Sequence, residues 1–337
     1  MTWQSIGRYS SQGALVDFSQ YVDEGYSDAF EPVFWRAVSY EDKPYALPHH
    51  TDTFAVYYNT DYFEKLGVSI PQQGPQSGWS WDQFIDVARQ VKDETDAEYA
   101  FAFGFQGPNT AYRWLPFLYQ NGGQLLNENM DAPQITNQAG VDAIAWTQSW
   151  FEEELIPAGS TIKATDSTSV TNLFATGNTG MMIHGDWMMP YLKDNMKDFD
   201  WDVTYMVRNA GMASDLGGNC LAITKDSQNP ELAADFIKFV VNEENMRFFC
   251  RNSQFLPVRK SLIEQGIDYS YRPDAMQKFL EQAKTIPDHM AGVETFPAFN
   301  EINALLEDQL ELAFTLQQEP EKTAQGIEDG IKEILRE

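Results

Sequence analysis

The stretch Gly177–Pro190, GNTGMMIHGDWMMP, brings an acid and the largest kind of aromatic together just past a glycine, where an apolar strand ends. At a strand-to-helix turn side chains face a cleft, so Trp187 could offer a flat surface to the C–H faces of a ligand and Asp186 an acceptor to its hydroxyls. The competing expectations are that Trp187 fills a core, where burial of a large apolar side chain gains roughly 1.5–3 kcal/mol just as readily, and that Asp186 caps the following helix. The run HHTD, residues 49–52, gathers two histidines and an acid. Successive residues of an extended segment point to opposite faces, so no shared metal is expected there. His49, His50, His184 and His289 make no ligand spacing with Cys220 and Cys250, and no CxxC occurs; the cysteines are expected as two separate buried thiols. No phosphate loop, dinucleotide fingerprint, GxSxG elbow or HExxH is present, so no cofactor and no metal are expected. Acids are abundant enough that counting leaves open a glycosidase-like pair of carboxylates.

Composition narrows the partners. The 337 residues include 50 acids against 23 bases, a net charge of −27. Such a chain is repelled by phosphate backbones and anionic lipid, which are held by clustered Lys and Arg, so nucleic acid is not an expected partner. No stretch reaches the ~18 uninterrupted apolar residues of a membrane span. The opening MTWQSIGRYSSQG has neither a basic n-region nor an apolar h-region, so no signal peptide is visible. The length argues for two domains.

Helical periodicity positions these residues. SWDQFIDVARQVKDE starts on Ser80 as N-cap and aligns Phe84, Val87, Ala88 and Val91; a second helix starts at Gln138 and repeats Val141, Ile144, Ala145 and Trp150. NPELAADFIKFVVNEENMRFFC reads as one long helix with Pro230 near its start, and the tail as two helices split at Pro320. Short strand signals lie between them at 54–58, 180–185 and 219–224. Strands alternating with helices make the fold α/β.

Three collinear stretches resemble the family 1 extracellular solute-binding proteins of ABC importers, the group that includes maltose- and oligosaccharide-binding proteins. They are KPYALPHHTDTFAVYYNTDYFEKLGVSIPQ with SWDQFIDVA, then NLFATGNTGMMIHGDW, then LGGNCLAITKDSQNPELAADFIKFVVNEENMRFF. The resemblance implies a two-lobed, type II periplasmic-binding-protein-like fold with a ligand between the lobes. Lobe one would hold 1–50 and 216–272, lobe two 52–214 and 273–337, with hinge crossings near 51, 215 and 272. The family's opening strand–helix–strand–helix unit has no counterpart here. The resemblance implies that about 60 residues of the family's usual mature protein have no counterpart here, so lobe one is expected to be N-terminally incomplete and the leader, with any lipoprotein cysteine, to be absent.

Carried onto this sequence, the resemblance places the sugar-stacking tryptophan at Trp187, with Asp186 beside it, a sugar-binding acid at Asp52, and stacking aromatics at Tyr112 and Phe299. Trp3 and Arg8 fall where the family has lobe-one pocket residues, and Gly217, Gly218 and Asn219 begin a return strand that can approach the ligand. One of Tyr57 and Tyr58 is expected to face the cleft, while Trp114 and Trp79, Trp81, Trp146, Trp150 and Trp201 are expected as core or surface. The implied function is a non-enzymatic receptor that binds a neutral mono- or oligosaccharide outside the cytoplasm and delivers it to an ABC permease. A receptor for a polyamine, peptide or glycerol phosphate, and a glycoside hydrolase using cleft carboxylates, are the alternatives.

Overall fold

The computed structural model describes residues 1–105, 109–163, 167–196 and 198–336. Its strands are β1 (Ser39–Tyr40), β2 (Lys43–Pro44), β3 (Ala46–Asp52), β4 (Phe54–Asn59), β5 (Tyr99–Phe103), β6 (Thr179–Gly185), β7 (Trp201–Thr204) and β8 (Gly217–Ala222). Four of them form a mixed sheet in the order β5-β6-β4-β7, in which only β5 and β6 run parallel. β3 and β8 pair antiparallel as a separate ribbon, and β1 and β2 make a small hairpin.

β4 and β6 are buried along their whole length. Near-continuous apolar runs such as FAVYY and GMMI fit strands covered on both faces. The covers are helical: Trp81–Glu94 and Ser167–Ala175 lie against β5 and β6, and Pro273–Ala283 against β4 and β7. The first of these starts as its sequence reads. Ser80 accepts from the Gln83 N–H and Gln83 reaches back to the Ser80 N–H, a reciprocal cap of two otherwise unsatisfied donors.

Where the sequence reads one long helix after Asn229, the structure has two, Pro230–Val240 and Glu243–Ser253. The break is chemical: the Asn242 side chain accepts from the Asn245 N–H at 2.8 Å and starts a new helix. The tail does split at Pro320, into Phe299–Leu316 and Pro320–Ile334. The preceding helix Asp288–Glu294 packs against Pro32–Ala37 near the N-terminus.

The chain passes between ribbon and sheet at Thr53 and returns at Ser214–Asp215, all three residues fully buried. These crossings are tied side by side. Thr53 Oγ1 lies 2.5 Å from Ser214 Oγ and donates to the Asp215 carbonyl at 3.1 Å, and Ser214 Oγ donates to the Phe54 carbonyl at 3.2 Å. In the ribbon Gly218 takes φ +101°, and a Cβ there would stand 2.3 Å from the His50 carbonyl oxygen, so no larger residue fits that close approach.

The ribbon also overturns one expectation. A register shift between Pro48 and His50 turns the strand, as a bulge does, and the two histidines do not point apart: their Nδ1 atoms lie 2.9 Å from each other. Phe249 and Phe255 pack on the pair. Burial lowers both pKa values, that of His50 to about 3, as expected for imidazoles held neutral among phenyl rings. Among the described residues no group of three or more His, Cys, Asp or Glu could hold a metal. Cys220 and Cys250 are both buried free thiols, and among the described residues no helix is long and apolar enough to cross a membrane.

Candidate functional site

A cavity of about 650 Å³ opens where three remote segments meet. The N-terminal turn and helix give Thr2, Gln4, Ser5 and Arg8; the turn before Leu115 gives Asn109, Thr110, Tyr112 and Arg113; the start of the Phe299–Leu316 helix gives Asn300, Glu301, Asn303 and Ala304. That helix orients the turn from two positions one helical turn apart. Asn303 Oδ1 accepts from the Tyr112 N–H at 2.8 Å, and Glu307 Oε2 from the Asn109 N–H at 2.6 Å. Across the opening Arg8 and Glu301 form a loose, half-exposed ion pair at 3.9 Å.

Behind the cavity four carboxyls are buried at the crossings: Asp52, Asp186, Asp215 and Glu294. Burial raises all four pKa values; the Asp215 charge adds to the rise at Asp52, Asp186 and Glu294, and the Asp52 charge to that at Asp186. Asp52 is pushed up to about 8, by burial and then by the Asp215 charge, with Arg113 opposing. Asp215 is held lower, at about 6, by the same guanidinium. Glu294 is pushed well up by burial although its Oε2 accepts from Gln4 Nε2 at 2.7 Å. Like charges crowded out of water cannot all ionise, so near neutral pH the cluster is largely protonated and Asp215 is its main anion.

The sequence-derived residues divide accordingly. Arg8 and Tyr112 line the cavity. Asp186 is fully buried; Gly185 takes the N-cap position, and Asp186 Oδ1 accepts the Thr53 N–H at 2.9 Å, which fixes the crossing rather than the following helix. Asp52 closes β3 opposite Gly217 and is 7% exposed. Gly218 and Asn219 pair with Thr51 and His50 in the ribbon, and Asn219 also bridges to Thr2. Trp3 and Phe299 are fully buried: the Trp3 indole donates to the Gly217 carbonyl at 2.7 Å, and its ring stacks on Phe34. Tyr57 and Tyr58 are both core, Tyr57 donating to the Gly185 carbonyl at 2.7 Å, so the expectation that one of them faces the cleft is not met. Trp114 is core as expected.

Trp187 is half-buried. Its ring rests on Gly185, where a Cβ would come within 1.7 Å of it; the glycine is what lets the indole lie there. His184 meets it edge-on at 5.3 Å, Phe54 lies at 5.8 Å, and the Arg113 guanidinium sits 5.0 Å from the ring centre.

Gln4, Arg113, Asn303, Asp215 and Glu294 were not singled out from the sequence. Two of them adjoin residues that were: Gln4 follows Trp3, and Arg113 follows Tyr112. Resemblance finds the segment; the backbone turn decides which neighbour faces the cavity.

Comparison with known proteins follows the same geometry. A model of the bacterial extracellular solute-binding proteins matches residues 2–247. The maltodextrin-binding protein MdxE of Bacillus subtilis is 23% identical over 311 residues, covering 87% of this chain and 68% of that protein. The maltotriose-binding protein of Pyrococcus abyssi is 22% identical over 263 residues, 77% of this chain and 53% of that one. The chain spans 61% of the length of the Brucella abortus binding proteins it matches at 24% identity. Among solved structures, the GacH receptor of Streptomyces glaucescens, described unliganded and with acarbose, has a TM-score of 0.81 at 22% identity, over 100% of this chain and 83% of that one. Lmo0181 of Listeria monocytogenes, solved with cycloalternan, has a TM-score of 0.82 at 21% identity, over 99% and 83%. The two-lobed α/β fold is shared with them. With a family model spanning well over half of it, the chain belongs to the bacterial extracellular solute-binding proteins.

Proposed function

We propose that this protein is the substrate-binding component of an ABC-type sugar importer and binds a neutral mono- or oligosaccharide in the cavity between its lobes. The observation that carries this reading is the cavity wall. The wall carries the amide residues Gln4, Asn109, Asn300 and Asn303, the hydroxyl residues Thr2, Ser5 and Thr110, and the aromatic Tyr112. Planar polar groups at fixed angles match sugar hydroxyls, and a ring matches a sugar's C–H face. Relatives named for maltodextrin and maltotriose support the same ligand class. Lobe one comprises 1–50 and 216–272 and lobe two 52–214 and 273–337, with crossings near 51, 215 and 272. Ligand favours the closed arrangement only as far as it binds that arrangement more tightly; the closed protein then docks on the permease outside the cytoplasm.

A hydrolase would need two carboxylates flanking the ligand. Among the described residues lining the cavity Glu301 is the one carboxylate, and it faces Arg8, which favours binding without chemistry. A thermal-shift screen over neutral oligosaccharides, polyamines and phosphate esters tests the reading. A saccharide at a hundred times its dissociation constant should stabilise the fold by about 2.7 kcal/mol. A clear shift from a polyamine or phosphate ester, with none from any sugar, would overturn it.

A further inference from the structure

Among the described residues lining the cavity, Arg113 carries a buried donor that the fold leaves unpaired. It is 9% exposed yet lines the cavity. Its Nε donates to the Tyr112 hydroxyl at 3.2 Å, while Nη1 is buried with no acceptor. Three rings hold the guanidinium plane: Trp187 at 5.0 Å, Tyr112 at 5.5 Å and Phe54 at 5.6 Å. Asp215 and Asp52 lie close enough for their charge to act on it, so the cation is compensated from behind. A purely structural arginine would spend its rigid fork of donors on carboxylates or carbonyls. This one is packed and oriented at the cavity wall, and among the described residues its hydrogen-bond acceptor is the Tyr112 hydroxyl alone.

We propose that Arg113 is the polar anchor of the ligand site: its guanidinium donates to an oxygen of the bound saccharide, and Trp187 acts through it, as the ring that holds the guanidinium in place. The assignment rests on the saccharide reading above and sharpens it. The site selects a ligand with an acceptor oxygen in the guanidinium plane and discriminates against one carrying an ammonium there, which would meet a like charge. Trp187 then serves recognition as a wall for a cation more than as a bare stacking surface.

Calorimetric titration with neutral maltooligosaccharides and their amino-substituted counterparts tests this. Wild type should bind the neutral sugars and bind the amino sugars more weakly. R113K keeps the charge facing Asp215 but loses the fork. It should retain the ligand-free melting temperature while affinity falls at least about tenfold, the size of one hydrogen bond to a charged group. Should R113K fail to fold, R113Q/D215N compared with D215N alone removes the guanidinium without stranding a buried carboxylate, and the same tenfold loss is expected. Unchanged affinity in whichever pair folds, or equal binding of amino sugars by wild type, overturns the assignment while leaving the sugar reading intact. A wild-type chain that binds no saccharide overturns both.

Discussion

The four-stranded sheet and the β3–β8 ribbon are built from similar elements but finished differently. In the sheet, β4 and β6 are sealed between helices on both faces. Beside the ribbon, the helices Pro230–Val240 and Glu243–Ser253 turn Ala234, Ile237, Met246 and Cys250 inward, yet Leu232, Phe236, Phe239 and Phe248 stand 69%, 63%, 61% and 69% exposed. Both helices are amphipathic, and these exposed rings share the outer faces with the charged Asp235, Lys238, Arg247 and Arg251. Burial on one face is enough to fold these helices; the outer phenyl rings are then surplus to the fold as it stands. The two regions therefore differ in how much each apolar side chain contributes.

Single truncations should expose that difference. Ile183, at the centre of β6, is fully buried, and Ile183→Ala should cost about 2–5 kcal/mol in urea unfolding, from lost transfer energy and the cavity left behind. A cost below about 1 kcal/mol would mean that the sheet is packed no better than the ribbon.

The junction between the regions should show its own pH dependence. Asp52 and Asp215 have folded pKa values of about 8 and 6 against an ordinary 3.8, so the native state holds extra protons and loses stability as pH rises through that window. His50 and His184 are lowered from 6.5 to about 3, so the native state binds fewer protons there and gains stability as pH rises towards 6.5. The two trends oppose each other in acid. Above 6.5 the carboxyl trend stands alone, and the melting temperature should fall between pH 6.5 and 8. Asp52→Asn should flatten that fall, and an identical slope in the variant would show that Asp52 does not titrate at the crossing.

The smallest effect is expected on the ribbon's outer face. Phe236→Ser should change unfolding free energy by no more than about 0.5 kcal/mol and should raise solubility by shrinking an apolar patch. A loss of 2 kcal/mol or more, the size seen for core truncations, would show that the ring is covered in solution and erase the contrast between the regions.

Much of the sheet region could be read before the structure, because its signals are local. Ser80 and Gln83 announce a helix start within four residues, and the uninterrupted runs of β4 and β6 fit strands buried on both faces. The ribbon was less legible. The bulge that turns His49 and His50 together starts at Pro48, a residue that fits a strand edge as well as a bulge, and the Asn242 cap lies inside a stretch that reads as one helix. The cavity was legible only in outline. Its walls come from residues near 4, 113 and 303, and nothing local to any of them says that the others are near. The resemblance names Arg8 and Tyr112, which line the cavity, and Trp3, whose neighbour Gln4 lines it instead.

The paired hydroxyls of Thr53 and Ser214 have a mechanical consequence. Because each crossing strand is bonded to the other through side chain and carbonyl, neither can swing without drawing its neighbour along, and a motion that bent only one would strip both hydroxyls of their partners in a fully buried place. The pair behaves as one unit: the two crossings are held at a fixed spacing, and a displacement of either is passed to the other.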